Sequence, residues 1–163
     1  MAGSDLVLHP EEYEKIREVI SRLRCDCNAK IIFLVDKNGQ QIAAQGEIDE
    51  LDTTALASLA AGNVAATDSL ARLIGEKEFS ILFHEGERDN LHISVVGGKM
   101  ILVVIFDERS SLGLVRLRVK RGANDLKSIM EDVWKKAAAP MKAGAGSPFA
   151  EITDEDIDRL FSD

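Results

Sequence analysis

The stretch Lys99–Phe106, KMILVVIF, is apolar at seven of eight positions. A strand with one wet face alternates apolar and polar residues, and a strand without that alternation needs cover on both faces. The fold must therefore place this strand in the middle of a sheet and supply layers above and below it. At 163 residues the chain is long enough for one domain with a full core. Its 45% hydrophobic and 29% charged composition is ordinary for a soluble globular protein.

The cover is found on either side in the sequence. HPEEYEKIREVISRLRC opens with Pro10 at a first helical position and two glutamates in the first turn. Tyr13, Ile16, Ile20, Leu23 and Cys27 recur at helical spacing. AKIIFLVDKNGQQIAAQGE reads as a hairpin around Asn38-Gly39, a pair that tolerates positive φ. A helix follows over DTTALASLAAGNVAATDSLARLIG, capped by Asp52, Thr53 or Thr54 and ended by Gly75. Three strands come next, EFSILFHEG, DNLHISVVG and KMILVVIFDE, the last two joined at Gly97-Gly98. LVRLRVKR alternates apolar and basic residues, which suits a strand. Yet Leu112, Val115, Val119, Leu126, Met130 and Val133 form a helical stripe running through NDLKSIMEDVWKKA. We read a helix, capped by Ser110 or Ser111, with Gly113 and Gly122 as the residues that oppose it. The order of helix, two strands, helix, three strands, helix predicts an α+β antiparallel sheet flanked by helices.

The helix at 53–74 poses a question. At 100° per residue, Leu56, Leu59, Ala60, Leu70 and Ile74 gather on one side with Asn63 and Thr67, and this side is expected to face the sheet. Ser58, Ala61, Gly62, Ala65 and Ser69 fall opposite, all small and none charged. A solvated helix face normally carries Lys, Glu, Gln or Arg, and glycine inside a helix costs about 1 kcal/mol relative to alanine. The bland explanation is an alanine-rich exposed stripe. The sharper one, which we adopt as the expectation, is a protein interface. The edge strand FSILFHE also wants cover, so a homodimer is expected. In the last helix Arg116, Lys120 and Lys127 share one flank at i, i+4 and i+11, a stripe that gains from an acidic partner.

Composition excludes several other functions. The net charge is −8, and Gly144–Asp163, with six acidic residues and one basic, holds −5 of it. An acidic balance argues against nucleic acid as a partner. The longest apolar runs are too short to span a membrane, and the N-terminus resembles no signal peptide. Cys25 and Cys27 sit at i and i+2, which do not share a helix face, so packing thiols in a reducing cytoplasm are expected. His84 and His92 lie on neighbouring strands and are close enough in sequence order to approach each other. With no nucleophile or third ligand they point to no catalytic or metal site. No phosphate-cradling loop or nucleophile elbow is present, and no cofactor or metal is expected. The chain thus divides into an N-terminal segment 1–9, a domain 10–137, a flexible linker 138–148 and an acidic amphipathic tail 149–163. In the tail Thr153 and Asp156 make a capping-box-like start, and Ile157, Leu160 and Phe161 share a side.

FLVDKNGQ, LDTTALASLAAGNVAATDSLARLIGE, FHEGERDNL, LVVIFDERSSLGLVRLRVKR and GSPFAEITDEDIDRLF together resemble the Roadblock/LC7 family over nearly the whole chain. The resemblance implies a profilin-like five-stranded antiparallel sheet with one helix on one face and two on the other. It implies a homodimer without an active site of its own that regulates a bacterial Ras-like small GTPase of the MglA type in polarity and motility control. Two chains would hold one GTPase through their paired middle helices, at Ser58, Ala61, Gly62, Ala65 and Ser69. The C-terminal segment, through Ile152, Ile157, Leu160 and Phe161, would dock on the GTPase away from its nucleotide pocket. The implied action is stimulation of hydrolysis by realigning the GTPase's own residues, with no inserted arginine. A scaffold that localises the GTPase without stimulating it, a nucleotide-exchange factor, and a small-molecule sensor are the alternatives. A cytoplasmic place, concentrated at a cell pole, goes with the reading.

Overall fold

The computed structural model describes residues 8–142, with side chains to residue 136. The elements run α1 (Pro10–Cys27), β1 (Ile31–Asp36), β2 (Gln41–Gly46), α2 (Thr53–Leu73), β3 (Ile81–Glu85), β4 (Asn90–Val96), β5 (Met100–Phe106) and α3 (Leu112–Lys142). Leu8–Ile129 form one compact unit, and the helical residues from Met130 fall in a second. Local chemistry accounts for the boundaries. The His9 amide donates to Glu12 Oε2 at 2.9 Å at the start of α1. Asn28 ends that helix in the left-handed region at φ 51°, and its Nδ2 donates to the Arg109 carbonyl at 2.6 Å. Asp52 caps α2 by accepting the Ala55 amide at 3.0 Å.

The five strands form one antiparallel sheet in the order β2-β1-β5-β4-β3. The unalternating strand β5 sits at its centre, and every one of its residues except Ile105 is buried. Val96 pairs with Met100 across Gly97-Gly98, whose φ of 61° and 72° suits the tight turns that only glycine enters without strain. In the β1–β2 hairpin Asp36 Oδ1 accepts the amides of Asn38 and Gln40, both at 2.9 Å. A Cβ on Gly39 would lie 3.1 Å from Ser58 Cα, so this turn lies directly on α2.

The pleat separates two cores. Ile31, Phe33, Val35, Ile93, Ile101 and Val103 cluster with Ala57, Ala60, Ala61 and Val64 of α2. Ile32, Leu34, Leu102 and Val104, on the opposite face, are also fully buried. α1 lies against β1 and β2, and it meets α3 where a Cβ on Gly122 would come within 2.8 Å of Leu23 Cδ2. That contact explains why a glycine interrupts an otherwise good helix former: it lets the two helices approach. The segment from Leu112 is helix and not strand, and Val115, Val119 and Leu126 form its buried stripe. α3 also takes in residues 138–142 of the expected linker. The remainder of that linker and the tail 149–163, with Ile152, Ile157, Leu160 and Phe161, lie outside the described residues.

Candidate interaction surface on the second helix

α2 turns its small residues inward and its large ones outward. Ala57, Ala60, Ala61, Val64 and Ala71 are buried, whereas Leu59, Leu70, Leu73 and Ile74 are 71%, 55%, 84% and 63% exposed. This corrects the expected orientation. Leu59, Leu70 and Ile74 do not face the sheet, and Ala61 does not belong to the outer face, being 8% exposed within the core. The reason is steric. The sheet beneath α2 already supplies Phe33 and five β-branched residues, so alanine brings the helix close and fills the gap with sheet side chains. Leucine there would overpack the layer.

The outward leucines are nearly collinear. Leu70 and Leu73 follow Leu59 by 11 and 14 residues, close to about three and four helical turns. Gly62 lies between them, and a Cβ there would meet nothing within 4 Å. Ser58, Gly62, Ala65 and Ser69 are all exposed beside the leucines, with the Ser69 hydroxyl turned back to the Ala65 carbonyl at 3.2 Å. The outer face is thus a row of large apolar side chains flanked by small residues. An amphipathic-helix count could not find it, because leucine is taken as buried by default. The usable signal is that alanines fill the opposite side.

The stripe is tied to the sheet edge. Asn63 Nδ2 lies 3.2 Å from His84 Nε2 on β3, an outermost strand of the sheet. Ile81 on that strand is 50% exposed. His84 and His92, which the sequence leaves free to approach each other, do not meet. His84 pairs with Leu91 and Phe83 with His92, so the pleat sends the two imidazoles to opposite faces. His92 is fully buried, and neither ring nitrogen has a hydrogen-bond partner among the described residues. Burial, and secondarily the nearby Arg116 guanidinium, lowers its pKa and keeps the ring neutral. Among the described residues no group of three or more His, Cys, Asp or Glu side chains is placed to hold a metal. Cys25 is exposed, and Cys27 is buried with its thiol pushed up to about 11, chiefly by desolvation.

On α3 Arg116, Lys120 and Lys127 are all exposed, and their spacing sets them on one flank. None of the three takes part in an ion pair among the described residues. No helix among those residues is long and apolar enough to cross a membrane.

A family model for the Roadblock/LC7 domain matches residues 15–106. The solved structure of MglB from Myxococcus xanthus is 55% identical, with a TM-score of 0.75, covering 78% of this chain and 96% of that one. The gliding protein MglB from Thermus thermophilus is 36% identical, with a TM-score of 0.74, covering 78% of this chain and 97% of that one. An uncharacterized protein of Methanocaldococcus jannaschii is 33% identical over 120 residues, 70% of this chain and 98% of that one.

Proposed function

The chain belongs to the Roadblock/LC7 family, and from that premise we propose that it is a homodimeric activator of a Ras-like small GTPase of the MglA type. The observation that carries the reading is the outward apolar row of α2, Leu59, Leu70, Leu73 and Ile74. Four large apolar side chains on one exposed helix face mark a protein contact. Their place beside the open edge strand β3 suits pairing of two copies, with Ser58, Gly62, Ala65 and Ser69 leaving room for a third backbone. Likeness to MglB over nearly all of that chain supports the same assignment.

The mechanism uses binding alone. An activator that donates no catalytic group accelerates hydrolysis only by binding the competent arrangement of the GTPase more tightly than the resting one. Each tenfold of rate then requires about 1.4 kcal/mol of differential affinity. A rigid apolar face backed by a sheet supplies such selectivity, since it fits one arrangement of the partner's loops and clashes with another. The exposed cations Arg116, Lys120 and Lys127 would meet an acidic patch on the GTPase, and the tail through Ile152, Ile157, Leu160 and Phe161 would hold it away from the nucleotide. The setting is the cytoplasm, with enrichment at a cell pole where polarity and motility are controlled.

GTP turnover by the cognate GTPase, measured with and without this protein, tests the reading. Faster turnover that saturates near two chains per GTPase is expected. Binding of the GTP form with unchanged turnover would leave a scaffold, and accelerated GDP release with unchanged hydrolysis would leave an exchange factor.

A further inference from the structure

The outer side of α3 carries a charge imbalance that the described chain does not balance. Arg116, Arg118, Lys120 and Arg121 are four cations within six residues, with no acid among them. None of them forms an ion pair among the described residues. Arg118 Nε is buried, with no acceptor among the described residues. The same stretch has an apolar floor. Leu117 is 65% exposed, and it lines an open groove of about 540 Å³ with Arg118, Lys120, Arg121, Asn124 and Asp125. A second, smaller hollow shares Arg118, Arg121 and Asp125 and carries the groove toward Arg22 and Asp26 of α1.

An occupant must bring several carboxylates in a short span, together with apolar side chains for Leu117. Two stretches of this chain carry acids in that pattern: Glu47–Asp52, with four acids beside Ile48 and Leu51, and a longer one near the C-terminus that brings more carboxylates and more apolar side chains. Glu151, Asp154, Glu155, Asp156 and Asp158 are five acids within eight residues, interleaved with Ile152 and Ile157 and followed by Leu160 and Phe161. We propose that the α3 groove around Leu117, Lys120 and Arg121 is a docking site for the acidic C-terminal segment, residues 151–161, of a second copy of this chain. The contact is heterologous: each chain offers a groove and a segment, so one contact leaves both complementary halves free for further copies. Single exposed ion pairs contribute little. Affinity therefore depends on several pairs formed together, and it is screened as the Debye length falls from about 10 Å at 0.1 M salt to about 3 Å at 1 M. The contact is separate from the α2 row, but it uses Lys120 and the tail residues that the proposed function gives to the GTPase, so a bound GTPase competes with it.

Sedimentation of the full chain over a range of concentrations, at low and high salt, tests it. In a Leu70→Arg background, which removes α2 pairing, the wild-type groove and segment should still give concentration-dependent association that weakens about tenfold or more in high salt. Lys120→Glu with Arg121→Glu should abolish it, and so should Asp156→Lys with Asp158→Lys. All four changes in one chain should restore it, because the charges are exchanged and remain complementary. These positions are surface or tail residues, and far-ultraviolet circular dichroism checks that each variant is folded. Four outcomes overturn the proposal: no association of the parent, association indifferent to salt, either charge-reversed pair associating like the parent, or no recovery in the combined variant. A groove variant that self-associates normally but loses the GTPase would assign the groove to that partner and also overturn it.

Discussion

Asn63 and His84 join a helix to a strand across the rim of the molecule, Nδ2 to Nε2 at 3.2 Å. The contact sets the position of the exposed row on α2 relative to the sheet edge at β3. Two surfaces that would otherwise move separately, one apolar and one with unpaired backbone groups, are held in one orientation. A partner that reads both meets a single preformed surface, which lowers the ordering cost of binding.

The orientation of α2 makes two substitutions diverge. Leu70→Arg changes a residue 55% exposed, and Ala61→Arg one 8% exposed in the core. Leu70→Arg is expected to shift folding stability by no more than about 0.5 kcal/mol while abolishing pairing of copies. Ala61→Arg should cost several kcal/mol, since overpacking and an unpaired buried charge add. Urea denaturation beside light scattering reads both. If Leu70→Arg leaves the mass at that of a dimer, the outward row is not the pairing surface.

Ala65→Arg tests the small residues beside that row. Ala65 is exposed, so the isolated chain should keep its stability. Binding of the GTP-loaded GTPase should weaken by a factor of a hundred or more, since about 3 kcal/mol or more follows from stranding a charge in an interface. Titration of wild type and variant under identical salt decides it.

Stimulation without an inserted side chain has a sharp signature. An arginine finger is worth roughly 10³–10⁵ in rate. Alanine at Arg72, Arg88, Arg109, Arg116 or Arg121 should therefore never remove stimulation while leaving binding intact. Arg109 is held by Asp107, Nε to Oδ1 at 3.0 Å, and by Glu47 at 3.8 Å, so its loss should lower stability modestly before it touches rate. One arginine that separated binding from turnover would replace the mechanism with a finger and identify it.

His92 should make stability depend on pH. Its pKa in the folded chain is lowered by burial and then by Arg116, so the unfolded chain binds the proton more readily. The stabilising contribution is complete above the unfolded value of about 6.5 and is lost as pH falls below it toward the folded pKa. Urea midpoints should drop between about pH 7 and pH 5, and His92→Leu should flatten that interval. An unchanged slope in His92→Leu would assign the loss to other groups.

Two glycines should respond in opposite directions. A Cβ on Gly62 meets nothing within 4 Å, so Gly62→Ala should stabilise the isolated chain by about 1 kcal/mol, the helix-propensity difference. At Gly46 φ is 123° and a Cβ would lie 2.1 Å from the Lys30 carbonyl oxygen, so Gly46→Ala should be strongly destabilising. Thermal unfolding of both variants gives the comparison.

The sheet could be read from the sequence because its signals are local. Residues 99–106 lack alternation, and that alone set β5 at the centre. The glycine pairs fixed the turns, and the α3 stripe outweighed its alternating first turns. The candidate surface was less legible because helix faces were assigned by assuming that large apolar residues are buried. That assumption holds for α1, where Ile16, Ile20 and Leu23 are inside. It fails for much of α2, where the partner layer is a sheet that already carries bulk and is met mainly by alanines and Val64, with Leu56 packed at the side. Whether His84 and His92 approach each other was not legible for a related reason. Strand adjacency is visible in sequence, but register is not, and a shift of one residue reverses the face.

The sheet order also dictates a sequence of events in time. β1–β2 and β3–β4–β5 each pair with chain neighbours, but the two groups join only where β1 meets β5, from Ile31 against Ile105 to Asp36 against Met100, partners 74 to 64 residues apart in the sequence. That closure carries the largest loop-entropy cost in the sheet. α2 lies inside the loop, and its bed consists of β1 and β2 on one side of the closure and β5 on the other. On the ribosome, therefore, the leucine row cannot be displayed on its final platform until residue 106 has been made and the last strand is seated. A nascent chain cannot present that row in its final setting before the rest of the sheet exists.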